Sequence, residues 1–397
     1  MSSLAADIEA AGRIGAGPDG GISRFAFTPE LAEANRWLLD RFEELGMRGW
    51  IDPAGNIHGI WEVGEGKAVL TGSHLDTVPR GGRYDGALGV LSALEAVRIL
   101  QERGVEPARP VRIVSFNDEE GARFRTGLLG SRAFIGDLDL EDWRARGIPE
   151  AMEAAGFDFE RLPEVRGVDA IAAYVELHIE QGPVLEERGI DVGVVTSVTG
   201  LLGFRARFLG AANHAGTTPM ASRRDALAGA ARAVVALRDE ARSTPGMTAN
   251  VGQILVEPGG ANVIPSLAEL SIDVRSPTAQ GFARVEAFVR EALARIAEEE
   301  GLGLELDRTH RKEPAPLDEG IQELIERAAD LEGATRIRMP SGAGHDAMML
   351  ARHVPAGMIF VPSRGGVSHS PGEHTSPEHC ELGARVLARA LELLAAR

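Results

Sequence analysis

The sequence predicts an α/β protein in which a larger mixed-sheet domain is interrupted by an inserted ferredoxin-like (βαββαβ) domain. Three observations support this fold class. Short apolar runs, which are typical of buried strands, alternate with helical segments through the first part of the chain. Near residue 200 the pattern changes to strands with strict apolar–polar alternation, which have one solvated face. A helix, a strand and a final helix follow this region, so we expect them to complete the first domain.

The first domain opens with an amphipathic helix, and strands then alternate with helices. The predicted elements are a helix at 30–46, a strand pair within 50–63, a buried strand within 67–76, a helix at 86–103, and strands at 112–116 and 172–177. Gly46 stops the first helix, and the strand pair surrounds a turn that contains Pro53 and Gly55. This order predicts a parallel or mixed sheet with helices on its faces.

The inserted domain has a β-α-β-β-α-β order. Its predicted elements are a strand at 203–209, a helix at 223–242, strands at 250–256 and 268–275, a helix at 278–300, and a strand at 303–308. This order is the ferredoxin-like arrangement. Beyond it, a helix, a strand at 357–361 and a helix at 377–396 return to the first domain. We therefore assign residues 1–199 and 316–397 to the first domain and 200–315 to the insertion.

The composition excludes several classes of partner. The 397 residues include 42 Lys and Arg against 59 Asp and Glu, a net charge of −17, which disfavours nucleic acid or an anionic membrane as the main partner. Cys380 is the single cysteine, so no internal disulfide is possible and a reducing compartment is expected. We expect a cytoplasmic protein, since the N-terminal segment lacks a secretory pattern and no apolar run reaches the ~20 residues of a membrane span.

Five segments concentrate His, Asp and Glu at the ends of predicted strands. They are Ser73–Asp76, Tyr84–Gly86, Asp118–Glu120, Glu176–Glu180 and His369–His374. Ligands of open α/β sheets bind beyond the carboxyl ends of strands, and imidazoles with carboxylates suit zinc, manganese or cobalt. Any one segment alone is compatible with an ordinary hydrogen-bond network or a solvated loop. All five together favour a divalent metal site.

Eight runs resemble one enzyme family. They are TGSHLDTVPRGGRYDGALGV, NDEEGARF, ELHIEQGPVLE, NHAGTTPM, NVIP, DVRS, SGAGHDAM and SHSPGEHT, in this order between about residues 70 and 376. They resemble the N-carbamoyl-L-amino-acid hydrolases and their relatives, the allantoate, ureidoglycolate and N-carbamoyl-β-alanine amidohydrolases. The resemblance implies a metallopeptidase-like catalytic domain, an inserted lid and dimerisation domain, a homodimer, and two divalent metal ions (Zn, Mn, Co or Ni) per subunit.

The same resemblance implies a role for each ligand. The implied ligands are His74 and His178 for one metal, Glu120 and His374 for the other, and Asp85 as the bridge between them. Glu119 would act as the general base on a metal-activated water and return the proton to the leaving nitrogen. Related aminopeptidases have an acid at the position of His178, so the histidine points to the branch that hydrolyses carbamoyl groups.

The resemblance also implies residues that contact or surround the substrate. The implied substrate contacts are Gln181, His214, Asn262, Arg275 and Gly344, and the implied supporting residues are Asp76, His345 and His369. His214 would reach the site of the partner subunit and stabilise the developing oxyanion; the alternative is a surface-loop histidine. Arg275, with Asn262, would bind the substrate carboxylate; the alternative for Arg275 is a salt bridge at a strand end.

The leading interpretation is hydrolysis of an N-carbamoyl-L-amino acid to the free amino acid, ammonia and carbon dioxide. The first alternative is another ureido acid, namely allantoate, ureidoglycolate or N-carbamoyl-β-alanine, because each offers the same ureido and carboxylate groups. A dipeptidase or aminoacylase is disfavoured by His178 and the EQG segment. A binding protein that keeps the fold without catalysis is disfavoured by an intact ligand set together with Glu119.

Overall fold

The computed structural model describes residues 3–396, in two compact units. The first unit comprises Met1–Thr196 and Leu317–Arg397, and the second comprises Ser197–Pro316. The strands, in chain order, are β1 (Arg48–Ile51), β2 (Ile57–Trp61), β3 (Ala68–His74), β4 (Val111–Phe116), β5 (Ile171–Ile179), β6 (Val192–Val198), β7 (Gly200–Leu209), β8 (Asn213–His214), β9 (Thr248–Glu257), β10 (Val263–Ile264), β11 (Leu267–Ser276), β12 (Gly303–Lys312), β13 (Ala315–Pro316), β14 (Arg336–Ser341) and β15 (Ala356–Val361).

The helices include every one predicted from the sequence and several short ones that were not. In chain order they are α1 (Ser3–Ala11), α2 (Pro29–Glu44), α3 (Ala87–Glu102), α4 (Leu129–Ile135), α5 (Leu140–Ala145), α6 (Ile148–Ala154), α7 (Val184–Arg188), α8 (Ala226–Ser243), α9 (Ala279–Glu299), α10 (Glu319–Leu331), α11 (Ala347–Leu350) and α12 (Pro377–Ala395). Helix α8 begins three residues later than predicted, because the side chain of Asp225 accepts hydrogen bonds from the amides of Leu227 and Ala228 and so caps it there.

The sheet of the first unit has a parallel centre. Its strand order is β1-β2-β4-β3-β5-β15-β6, and β14 also pairs with β6. Strands β4, β3, β5 and β15 are mutually parallel, whereas β1, β2 and β6 join antiparallel to their neighbours. All residues of β3, β4 and β15 are buried, which explains the apolar run that opens β3, the apolar residues of β4 and the fully apolar sequence of β15. The predicted mixed sheet and α/β fold class are confirmed.

Helices α3 and α12 pack together against this sheet. The residues of α3 from Ala87 to Leu94 are buried all round, and α12 presents a buried stripe that includes Leu387 and Leu391. Ser376 caps α12 by accepting the amide of His379, and Pro377 occupies its first turn. These contacts fix the loops that enter α3 and α12, and those loops carry functional side chains.

The second unit contains a four-stranded antiparallel sheet in the order β12-β7-β11-β9. With α8 and α9 its elements follow the β-α-β-β-α-β order. Buried residues alternate with half-exposed ones along β11, and the buried face packs on Phe204, Phe208 and Phe282. Strand β9 is an edge strand whose Ile254 and Leu255 are 47% and 61% exposed. Within residues 3–396, no helix has the length and apolar character needed to cross a membrane.

Candidate metal centre

Four parallel strands carry the candidate ligands at or just beyond their carboxyl ends. His74 is the last residue of β3, and His178 is the penultimate residue of β5. Glu119 and Glu120 follow β4, and His369 lies in the loop after β15. Because the strands are parallel, these ends meet at one edge of the sheet, which is where open α/β sheets bind ligands.

Asp85 belongs to two groups of donor atoms. The first donor group comprises His74, Asp85 and His178, and the second comprises Asp85, Glu120 and His369. Oδ1 of Asp85 lies 3.2 Å from Nε2 of His178 and 3.9 Å from Nε2 of His74. Its Oδ2 lies 3.2 Å from Nε2 of His369, which in turn is 3.6 Å from Oε2 of Glu120. Within each group all donor atoms lie within 4.8 Å of one another. A carboxylate with one oxygen in each group has the geometry required of a bridge.

Backbone contacts orient the two buried imidazoles of the first group. Nδ1 of His74 lies 3.0 Å from the carbonyl oxygen of Asp76, and Nδ1 of His178 lies 2.9 Å from that of Ile179. An N–H at each Nδ1 therefore leaves Nε2 as the nitrogen that faces Asp85 and is available to bind a proton or a cation. Gly86 has a φ of +63°, and a Cβ there would lie 2.4 Å from the ring of His74, so only glycine fits at this position.

The second group contains His369, where the sequence resemblance implied His374. Nδ1 of His374 faces the hydroxyl of Tyr84 at 3.5 Å instead. The reason is a long-range contact: Oε1 of Glu373 accepts the amides of Tyr84 (2.9 Å) and Asp85 (3.0 Å), so the residue that follows it is held beside Tyr84. His369, expected only to support the site, has a φ of +54° and turns its ring to Asp85.

Asp76 holds the two glutamates in position. Its two carboxylate oxygens accept the amides of Glu119 and Glu120, each at 3.2 Å. The preceding residue, Asp118, has a φ of +54°, which forms the sharp turn after β4. As a result, Oε2 of Glu119 lies 3.7 Å from Nε2 of His74, beside the first donor group. These contacts hold both glutamates through their backbone amides.

The carboxylates of the site are crowded enough to disfavour ionisation of some of them. Burial, and then the charges of Asp346 and Glu120, raise the pKa of Glu119 well above its usual range. Burial and the charge of Asp85 raise the pKa of Glu120 to about 7. Burial opposes ionisation of Asp85 too, but hydrogen bonds from His178 and His369 hold its pKa well below the usual range. A divalent cation would neutralise this concentration of negative charge, so the donor set fits such an ion.

The imidazoles respond to the same charges. Burial lowers the pKa of His178, but the hydrogen bond to Asp85 outweighs this effect and raises the pKa to about 9. The hydrogen bond to Asp85 likewise raises the pKa of His369 to about 9. Asp85 therefore stabilises a positive charge at Nε2 of His178 and at Nε2 of His369, whether a proton or a metal cation.

Buried groups that the sequence did not single out as site residues support the ligands. Glu176 accepts hydrogen bonds from Ser73 (2.8 Å), Tyr174 (3.1 Å) and the amide of Ala347 (3.0 Å). The sequence could have identified Glu176 as a supporting residue, because it lies two residues before His178 on β5 and the two side chains share a face.

His345, which the resemblance implied as a supporting residue, packs against a ligand. Its ring is 4.5 Å from that of His178. Burial, followed by the charge of His178, lowers the pKa of His345 well below its usual range. His345 therefore lies beside the first donor group.

The predicted substrate contacts in the first unit lie in different surroundings. Nε2 of Gln181 donates to Oδ2 of Asp85 (2.9 Å) and to Ser368 (3.3 Å), so this side chain borders the second donor group. Gly344 is exposed, and a Cβ added to it would meet Sδ of Met348 at 3.9 Å as its nearest heavy atom beyond the adjoining residues. The turn around Gly344 therefore leaves space beside its backbone.

The remaining predicted contacts belong to the second unit. His214 is exposed on β8, where it pairs with Val263, and its Nδ1 accepts the amide of Gly216 at 3.0 Å. Asn262 is exposed, and its carbonyl accepts the amide of Ala215 at 2.9 Å. Two nitrogens of Arg275 contact the two carboxylate oxygens of Asp273 at 3.0 and 3.3 Å, which is the strand-end salt bridge considered as the alternative.

Comparison with known proteins gives consistent results. Residues 70–393 match the family model described as peptidase family M20/M25/M40. An N-carbamoyl-L-amino acid amidohydrolase from Geobacillus stearothermophilus is 43% identical over 384 residues, covering 95% of this chain and 94% of that protein. An allantoate amidohydrolase from Bacillus subtilis (strain 168) is 37% identical over 397 residues, covering 98% of this chain and 96% of that protein. A solved amidase of the hydantoinase/carbamoylase family from Burkholderia multivorans superimposes with a TM-score of 0.92 at 35% identity, covering 99% and 97% of the two chains.

Proposed function

The chain belongs to peptidase family M20/M25/M40, and from that membership we propose that it is a metal-dependent amidohydrolase that cleaves the carbamoyl C–N bond of an N-carbamoyl-L-amino acid. The products are the free amino acid, ammonia and carbon dioxide. The observation that carries the proposal is Asp85, which directs one oxygen at His74 and His178 and the other at His369. A single carboxylate placed in this way supports a two-cation centre.

We propose the ligand sets from this arrangement. His74 and His178 hold one divalent ion (Zn, Mn, Co or Ni), Glu120 and His369 hold the other, and Asp85 contacts both. His369 therefore takes the role that the resemblance implied for His374. When bound, the ions polarise the carbamoyl oxygen and lower the pKa of a water molecule.

Glu119 is the residue we propose to move protons. It is buried and stands beside the first donor group without belonging to either group of donors. Its carboxylate accepts a proton from the attacking water and passes it to the leaving nitrogen. Burial and the neighbouring carboxylates raise the pKa of Glu119, which strengthens it as a base and lets it carry the proton between the two steps.

Substrate selection involves the second unit. We propose that Arg275 and Asn262 bind the substrate carboxylate, and that His214 of the partner subunit in a homodimer donates to the developing oxyanion. Gln181 and Gly344 contribute further contacts in the first unit. Binding of a substrate carboxylate by Arg275 must compete with its salt bridge to Asp273. The exposed edge strand β9 supports pairing between two copies, and the single cysteine supports a cytoplasmic location.

Another ureido acid is the second candidate substrate, because the name of the Bacillus subtilis relative is allantoate amidohydrolase. Ammonia release from a panel tests the choice. After loading with Mn, Co, Ni or Zn, the enzyme is supplied with N-carbamoyl-L-leucine, allantoate, ureidoglycolate and N-carbamoyl-β-alanine, with Glu119→Gln as the control for contaminating activity. Hydrolysis of N-acetyl-L-leucine, which releases no ammonia, is followed separately by the free leucine formed. The fastest turnover is expected with N-carbamoyl-L-leucine. If only allantoate, ureidoglycolate or N-carbamoyl-β-alanine is hydrolysed, the second candidate is correct; if no ureido acid is hydrolysed, the proposal fails.

A further inference from the structure

A cavity of about 450 Å³ lies between α1 and the start of α12, within the first unit. Leu4 and Ile8 of α1 form one apolar wall, and Pro377 and Cys380 of α12 form another. None of the proposed ligands or substrate contacts lines it. Its volume and its apolar walls fall within the range of sites for small molecules.

The cavity carries one cationic and one anionic side chain that have no partner among residues 3–396. The exposed Arg83 and the half-buried Glu381 both line it, and the side chain of neither forms a hydrogen bond or ion pair within that part of the chain. Glu9, which also lines the cavity, is paired with Arg13. The unpaired groups of the cavity therefore have opposite charges, one on the loop before α3 and one on α12.

We propose that this cavity binds a free α-amino acid with an apolar side chain. The carboxylate of such a zwitterion pairs with Arg83, the ammonium pairs with Glu381, and the side chain packs against Leu4, Ile8 and Pro377. A simple anion would leave Glu381 without a partner, and an amine would leave Arg83 without one. The identity of this ligand as the reaction product rests on the proposed function, and the cavity is then a product-binding site outside the metal centre.

One residue connects this cavity with the metal centre. Tyr84 lines the cavity and directly precedes Asp85, and Oε1 of Glu373 binds the amides of both. A ligand that displaces Tyr84 therefore acts on the same hydrogen bonds that hold the bridging carboxylate. The connection provides a route from product binding to the donor atoms.

Calorimetric titration with L-leucine and two analogues tests the inference. The analogue 4-methylpentanoate lacks the ammonium, and 3-methylbutylamine lacks the carboxylate. L-Leucine is expected to bind at least about tenfold more tightly than either analogue, since each analogue loses one charge-assisted contact. Arg83→Met and Glu381→Gln are each expected to weaken L-leucine about tenfold or more. The matched controls are Arg364→Met and Glu378→Gln, which change exposed charges outside the cavity lining and are expected to leave the affinity unchanged.

The variant Arg275→Ala, which removes the proposed carboxylate contact of the substrate, distinguishes binding in this cavity from binding of the product at the metal centre. Binding that depends on Arg83 is expected to persist in this background. Binding that is lost in Arg275→Ala, but unchanged in Arg83→Met, would place leucine at the metal centre and overturn the inference while leaving the proposed function intact. Equal affinity for L-leucine and 4-methylpentanoate also overturns it. Ammonia release is measured separately, so failure of the proposed function is recognised independently.

Discussion

The choice between His369 and His374 as a metal ligand gives the sharpest prediction. The two histidines lie five positions apart in one loop, and each can be replaced by alanine with the same change in side-chain volume. In His369→Ala the second donor group retains only Asp85 and Glu120, so we expect one ion per chain to dissociate or to bind much more weakly. The first donor group is unchanged, and we expect its ion to remain. In His374→Ala both groups are intact.

The expected magnitudes differ widely. Residues that merely support a ligand affect metal affinity about 10–100-fold, so removing a donor is expected to exceed about 100-fold, or ~2.7 kcal/mol. His374→Ala removes a single hydrogen bond, between the imidazole and the hydroxyl of Tyr84 at 3.5 Å, in a half-exposed position. A neutral hydrogen bond contributes ~0.5–1.5 kcal/mol to folding, and this one involves no donor atom, so metal affinity is expected to change less than about threefold.

Metal content per chain after dialysis, together with titration against a competing chelator, measures both variants. Ammonia release and the melting temperature are recorded alongside, so that unfolding is distinguished from removal of a ligand. Dissociation of an ion from His374→Ala, with two ions bound at normal affinity in His369→Ala, would refute the assignment.

Four further predictions concern the remaining groups of the site. Glu119→Gln is expected to keep both ions but to reduce turnover by at least the ~10²–10⁴ that a general base contributes, and near-normal turnover in a metal-loaded sample would remove it from the mechanism. Asp85→Ala is expected to weaken both ions in the same titration, because its two oxygens serve both groups; normal binding of two ions would contradict the bridge. Arg275→Ala is expected to lower kcat/KM for N-carbamoyl-L-leucine by an amount equivalent to ~2–3 kcal/mol, but to leave the hydrolysis of an N-carbamoyl amine unaffected. Asp273→Asn, which frees the guanidinium, is expected to lower the KM. Equal slowing of both substrates by Arg275→Ala would refute a carboxylate clamp. A measurement of mass in solution is expected to show a homodimer. Mixing the inactive His214→Ala and Glu119→Gln variants is expected to restore some activity. A fully active monomer would exclude a site shared between subunits.

The parallel centre of the sheet was predictable because burial on both faces leaves a strong signal. Strands β3 and β4 contain short apolar runs, and His or acidic residues lie at or just beyond their carboxyl ends. Strand β14, with the sequence RIRMPS and a half-exposed pattern, carries no such signal and was missed. Strand β6 was missed although it is apolar, because it has no alternation and its partners β14 and β15 are distant in the sequence.

The local sequence pattern could not distinguish His369 from His374 as the histidine of the second donor group. His369 and His374 are both in a polar loop after a buried strand, and either could face the site. The proposed choice of His369 rests on Glu373, whose carboxylate accepts the amides of Tyr84 and Asp85, 289 and 288 positions earlier in the chain, and so holds His374 beside Tyr84. The roles of Arg275 and His214 depend on contacts that a single sequence does not encode, so they remain predictions.

The place of β15 in the sheet has a consequence for how the protein is made. Residues 356–361 lie between β5 and β6, so a nascent chain that has not yet emerged beyond β6 lacks a strand from the middle of its sheet. At about 5–20 residues per second, translation takes roughly ten seconds or more to proceed from β6 to β15, and the second unit is synthesised during that time. His369 follows β15 and emerges later still. Between the synthesis of His178 and that of His369, nearly half of the chain, a nascent chain therefore carries only the first donor group. The two donor groups can be brought together only when synthesis is nearly finished.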